Sequence, residues 1–374
     1  MGNKVFRRDG GEGLLPIATL RERLDVAIAP VAATREEPFA AIGARLAEDV
    51  VAPAPFPPTA RALRRGVAVA SNQTIGASPY APVPLDRPIE VEVGDALPAG
   101  CDAVLAAEAV TRDFGGIQTA ETVAPWTDAE PAGASVAGAI RLARAGDRVG
   151  PILAQAATLL GFAALPVRRV RVAVGHDGSL EAAAAARTLA ALLPDTLATV
   201  APLAGMADAP ADLLLAVGVG DLDGDDPALD LVASRGRLDG FGVGLSPCAA
   251  VGWGWIADRP VLVVPRRLDG LVAAVSTLVL PVVRRLAGAP PPPSVERRLA
   301  RKIVSRIGLT EVALLAVGDD GSWQPLGVAR WSWPALLSAR GWIELGPESE
   351  GLPDGATVAA ASPQWCPTAP GGIT

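Results

Sequence analysis

The stretch from 167 to 219 constrains this chain more than any other. Residues 170–174 form a short apolar run, 175–178 a loop, 179–193 an alanine-rich helical segment and 213–217 a second apolar run. Strand, helix and strand within about fifty residues read as a βαβ unit. Further strands follow at 249–255 and 261–264, then a helix at 268–286 interrupted by Pro281. Forty glycines and 35 prolines among 374 residues are well above the usual share. Many turns therefore break the chain, and a uniform helical bundle is excluded. At about 100–200 residues per domain, two to four domains are expected.

The flanking segments have other textures. Leu20, Leu24 and Ile28 recur at helical spacing among charged residues, predicting a first helix over 19–29. A mixed apolar pattern continues over 37–51 until Pro53, Pro55, Pro57 and Pro58 stop it. From 67 to 123 short alternating runs predict a β region, with Ile89, Val91 and Val93 facing one way and Glu90 and Glu92 the other. A helix over 151–162 opens on Pro151 and ends near Gly161. The proline run at 289–294 is a stiff linker. Beyond it lies a small β-barrel or sandwich whose core is assigned to Trp323, Trp331, Trp333 and Trp342.

Net charge is -7, which supplies no general field for nucleic acid or an anionic membrane. The only lysines are Lys4 and Lys302, so lysine chemistry is absent between them. Cys101, Cys248 and Cys366 are far apart and lack the close spacing of a zinc site. Residues 1–13 hold no apolar core of a signal peptide. The most apolar stretch, 271–283, is 13 residues long, against roughly 20 needed to span a bilayer. A reduced, cytoplasmic setting without membrane insertion is expected.

Several segments carry a family likeness. They are Ala44-Arg45-Leu46-Ala47-Glu48-Asp49-Val50-Val51-Ala52-Pro53, the run IEVEVGDALPAGCDAVLAAE at 89–108, the Pro281 helix followed by Leu286-Ala287-Gly288, and Gly341-Trp342-Ile343-Glu344-Leu345 with Asp354-Gly355-Ala356-Thr357-Val358. In this order around the βαβ unit they resemble the molybdopterin molybdenumtransferase family, which includes bacterial MoeA proteins and the E domain of gephyrin. The resemblance implies an α/β multidomain fold. Residues 14–52 and 139–166 would form a helical linker and dimerisation domain, and 53–138 a β-rich insert. A three-layer α/β domain of the MoaB/Mog type would span 167–288, and a C-terminal β-barrel 295–362. It also implies a homodimer whose cleft the partner chain completes, and a molybdoenzyme or cofactor-pathway partner. The family reaction hydrolyses adenylylated molybdopterin and leaves molybdenum on the dithiolene, which demands anion-binding groups and carboxylates for a divalent ion.

At those positions the chain departs from the family pattern. The acidic residue of the family's SAMDGYA turn corresponds to Arg65, next to Arg64. KPGKP falls on Ser246-Pro247-Cys248-Ala249-Ala250, and LPGNP on Val264-Pro265-Arg266-Arg267-Leu268. Only Val219-Gly220-Asp221-Leu222-Asp223 keeps the family's glycine and the acid three positions on. The resemblance thus points to a degenerate site, a pseudoenzyme that handles a molybdopterin-like or phosphorylated ligand; the alternatives are an active molybdenumtransferase with an altered site or a non-catalytic scaffold or assembly partner, which leaves enzymatic activity open. Gly218, Gly220, Asp221, Asp223, Ser246, Arg64, Arg65, Arg266 and Arg267 are the candidate ligand-binding residues, since arginine forks match oxyanions.

Two readings stand for each remaining candidate. Asp221, Asp223, Asp225 and Asp226 either hold Mg²⁺ through Asp223 or form a solvated turn with one carboxylate capping a helix at Pro227; the turn is favoured, and no metal site is expected. His176 and Asp177, with Asp223, are catalytic candidates, against the alternative of helix capping by Asp177 or Ser179. Cys248 is either a thiolate for a soft metal or a small buried residue.

Overall fold

The computed structural model describes residues 13–113, 116–193, 195–363 and 365; Cys366 and the N-terminal segment 1–12 lie outside them. At its centre is a six-stranded sheet of β1 (Val170–His176), β2 (Thr196–Pro202), β3 (Leu213–Gly218), β4 (Arg237–Phe241), β5 (Gly252–Ile256) and β6 (Arg259–Pro265). The spatial order is β2-β1-β3-β6-β5-β4. β2, β1, β3 and β6 are parallel, whereas β5 runs antiparallel to β6 and to β4. Every residue of β3 is buried, as expected of a central strand covered on both faces.

The period-two alternation of these strands sorts their side chains into two cores. Val170, Val172, Val174, Leu213 and Leu215 meet α1 (Ile17–Ala27), α3 (Leu180–Ala191) and the long helix α6 (Leu268–Ala287) on one face. Ala173, Leu214 and Ala216 meet α4 (Leu203–Asp208) and α5 (Pro227–Arg235) on the other. α2 (Pro151–Leu159) belongs to a separate small core with Ala44, Leu46, Val149 and Leu165.

The structure corrects three sequence expectations here. The predicted βαβ unit contains an additional strand and helix, β2 and α4, between α3 and β3. β2 is an edge strand whose Leu197 and Val200 are exposed. Residues 37–51 hold no helix; short strands Arg45–Leu46 and Val50–Val51 pair there with Leu165–Arg168 and Arg141–Ala143.

Finally, Pro281 does not interrupt α6. A π-helical turn at Val275–Val279 precedes it. A proline cannot bond the carbonyl four residues back, and that carbonyl, Thr277 O, accepts instead from Arg21 Nε at 2.6 Å. The resulting 20-residue helix is long and apolar enough to cross a membrane, so the 13-residue estimate was too short. However, 83% of its most apolar window is buried inside the protein, which makes it a core helix. Gly288, at φ +64°, ends it.

In the β region Gly66–Val69 is flanked by Ile89–Val91 and Ala103–Ala106. Only Val91 of the expected apolar trio is buried; Ile89 and Val93 are exposed. In the last module the strand Thr310–Val317 pairs with Trp323–Val328 and Gly341–Leu345, and Ser294–Arg298 pairs with Thr357–Ala361. Leu245–Ser246, from the central unit, joins this sheet beside Thr310–Glu311 and ties the two together.

Candidate functional site

The chain leaves β1 through α3 on one face of the sheet and leaves β3 through α5 on the other. Where consecutive crossovers diverge in this way, a crevice opens at the carboxyl ends of the strands. A cleft of about 840 Å³ lies there. Its walls are the loop after β3, the segment 247–250, the end of β6 with the start of α6, one side of α3 and Trp333.

The glycine turn after β3 is shaped by packing. A Cβ on Gly218 would lie 2.4 Å from Asp226 Oδ2 and 2.8 Å from Val263. Asp226 is 2% exposed, and its carboxylate accepts from Val219 N at 2.7 Å and Ala228 N at 2.9 Å. It therefore caps α5 and consumes a backbone donor that the turn would otherwise offer a ligand. Gly220, at φ +86°, packs against Pro265 and lines the cleft. Asp221 and Asp223 also line it, with Asp223 N donating to Asp221 Oδ1 at 3.1 Å; Asp225 is exposed and stands away from the lining. Among the described residues no three His, Cys, Asp or Glu side chains converge as a metal site.

Beside the cleft, His176 Nδ1 accepts from Gly178 N at 3.1 Å, and Asp177 Oδ1 from Ser179 N at 2.8 Å. Ser179 caps α3 by accepting from Ala182 N. The Ser179 hydrogen bonds, with help from Arg266, hold the Asp177 carboxyl below its usual range. That makes it a weak general base at neutral pH. Neither His176 nor Asp177 lines the cleft. Cys248 does; its Sγ approaches Gly220 O at 3.8 Å, and burial pushes its thiol pKa up, against a thiolate ligand.

The four arginines expected to share an anion separate into two pairs. Arg266 and Arg267 are at the cleft. Arg266 Nε lies 3.3 Å from Glu181 and its Nη1 3.9 Å from Asp177; Arg267 Nε contacts Asp269 at 2.6 Å. Arg64 and Arg65 are not in the lining. They are exposed in the β region, where Arg64 faces Asp128 and Glu108 and Arg65 faces Glu92. Ser246 also stays outside the lining, in the strand beside Thr310–Glu311, while its neighbour Pro247 reaches it.

One lining residue was missed from sequence. Trp323 and Trp331 are buried and Trp342 packs against the core, but Trp333 is 72% exposed at the cleft. It opens α7 (Trp333–Ser338), which Ser332 caps, and stands directly before Pro334. The Ser-Trp-Pro sequence is a helix-start signature and could have placed this tryptophan on a first turn instead of in the core.

Residues 15–161 match the family model of the MoeA N-terminal region (domain I and II). No curated protein matches the chain. Among solved structures, a molybdopterin biosynthesis MoeA protein from Pyrococcus horikoshii OT3 superposes with a TM-score of 0.67 at 20% identity, covering 93% of this chain and 100% of that one. A second P. horikoshii MoeA structure gives 0.66 at 20% identity, covering 93% and 99%. A molybdenum cofactor biosynthesis protein from Pyrococcus furiosus gives 0.57 at 14% identity, again covering 93% and 99%. These structural likenesses establish a shared fold.

Proposed function

We propose, for a chain whose residues 15–161 match the MoeA N-terminal family model and whose fold is shared with MoeA structures over 93% of its length, a role in molybdenum-cofactor biosynthesis or handling. In this reading it binds a molybdopterin-like or other phosphorylated ligand in the cleft and does not perform the standard metal insertion. The observation that supports this best is the cleft itself. It combines two guanidinium groups, Arg266 and Arg267, with an exposed indole at Trp333. The first two suit a phosphate and the indole suits a flat heterocycle. Against insertion chemistry stands the shortage of grouped carboxylates among the described residues. The protein would work as a homodimer in the reducing cytoplasm, where the described cysteines Cys101 and Cys248 remain free thiols.

Calorimetry with molybdopterin and AMP tests this reading. Binding that Arg266→Ala weakens supports it, and absence of heat from both ligands overturns it. Recovery of molybdoenzyme activity in a strain lacking the standard enzyme would overturn the non-catalytic part. Light scattering addresses assembly: a monomer would separate Arg64 and Arg65 from the cleft, because within one chain they lie outside its lining.

A further inference from the structure

We propose that the pocket where the proline linker leaves α6 binds a small free oxyanion of the phosphate type, with Arg284 as its main ligand. This site is separate from the cleft and does not rest on the function proposed above. The pocket holds about 180 Å³ and brings together Arg45, Asp195, Arg284 and the prolines 290–293. That is room for about six waters at liquid density, enough for one tetrahedral anion.

Its charge is unbalanced. Asp195 is held by two arginines at once, Arg45 Nη2 at 2.5 Å and Arg148 Nε at 2.7 Å. Each of its oxygens already accepts from one arginine, and among the described residues Arg284 makes no ion pair or side-chain hydrogen bond of its own. The lining holds two guanidinium groups against one carboxylate, and a third, Arg148, draws on that carboxylate from outside it. Burial pushes the Arg284 pKa down, and the like charge of Arg45 adds to this despite Asp195. Arg284 is half-buried without a carboxylate of its own, and an incoming anion would offset the partial loss of solvation. Most of the wall's backbone offers no free donor; Leu193 N and Thr196 N are bonded to Ala190 O and Leu193 O. Prolines lack an N–H, and Ala289 N is already bonded to Arg284 O at 2.9 Å. The charged donors for the anion are the guanidinium groups of Arg284 and Arg45.

The experiment is calorimetry and thermal denaturation of the full chain at constant ionic strength, with inorganic phosphate and AMP as probes. Wild type is compared with Arg284→Met, Arg284→Lys and Arg266→Ala. Phosphate is expected to bind wild type and Arg266→Ala alike. Loss of a charge-assisted pair in Arg284→Met should weaken binding by about tenfold or more, and Arg284→Lys should retain part of the affinity. Without phosphate, Arg284→Met should melt at or above the wild-type temperature, because it removes an unpaired charge; a merely structural arginine would give the opposite sign. No phosphate binding, unchanged affinity in Arg284→Met, or a lower melting temperature of that variant without phosphate would each overturn the site. Displacement of phosphate by AMP would overturn its restriction to a free oxyanion. Loss of phosphate binding in Arg266→Ala would assign the anion to the cleft.

Discussion

The cleft and the linker pocket both present arginines to a cavity, yet they differ in how those arginines are matched. At the cleft, Arg266 faces Glu181 and Asp177, and Arg267 faces Asp269, so each cation has at least one carboxylate of its own. Around the pocket, Arg45 and Arg148 both bond Asp195, and Arg284 has no carboxylate of its own. The number of arginines in a cavity is therefore a poor guide to its appetite for anions. The count that matters is guanidinium donors left after the internal carboxylates have taken theirs.

The largest effect that can break this contrast is at Asp195. Asp195→Asn leaves Arg45, Arg148 and Arg284 in mutual repulsion. Breaking one side of a partly buried ion network should destabilise the fold by about 2–4 kcal/mol, read by urea denaturation, with phosphate restoring part of it. Glu181→Gln at the cleft removes an exposed partner and should change stability by no more than about 0.5 kcal/mol. Equal losses in the two variants would erase the distinction between the regions.

A second comparison lies within the aspartate-rich turn itself. Asp226→Ala strips a buried carboxylate that accepts two backbone N–H groups, and should cost about 2 kcal/mol. Asp225→Ala, at an exposed neighbour, should stay within about 0.5 kcal/mol. A similar cost for both would mean that the turn acts as one unit, as a bound cation would require.

These pairs also show what was legible beforehand. Residues 227–235 announce a helix and its cap because Asp226 and Pro227 are adjacent in sequence, and α1 and α3 announce themselves through local periodicity. The α/β core follows from continuous apolar strands. By contrast, Arg45 and Asp195 are separated by 150 positions, and nothing in the chain near either one signals that they share a site with Arg148 and Arg284. Trp333 was assigned to the core because aromatic content carries no information about direction. Pro281 reads as a break in the sequence because the group that donates to the carbonyl it leaves unpaired, Arg21, is 256 residues from that carbonyl at Thr277. Local rules reached the elements; the matching of charges across them is tertiary.

A smaller effect sharpens the cleft side. If Arg266 is held back by its own carboxylates, Glu181→Gln should release it and tighten binding of a phosphorylated ligand by about two- to fivefold at low salt. Weaker binding in this variant would instead make Glu181 a positioning residue for Arg266.

The smallest expected effect is the pH response of Asp177. Its carboxyl is bonded by the Ser179 hydroxyl and backbone and approached by Arg266, so its folded pKa lies below the unfolded value near 3.9. A depressed carboxylate stabilises the fold above the unfolded pKa, and that contribution disappears as pH falls through the folded one. Asp177→Asn should therefore lower stability slightly at neutral pH and leave it unchanged at the acid end, with the difference closing below about pH 4. Asp49 and Glu130 are also depressed, by partners elsewhere in the chain, so both proteins keep an acid slope and only the difference curve reports on Asp177. A difference that persists at low pH would mean that the substitution disturbs the start of α3 itself, and Arg266 would then owe its position at the cleft to Glu181 alone.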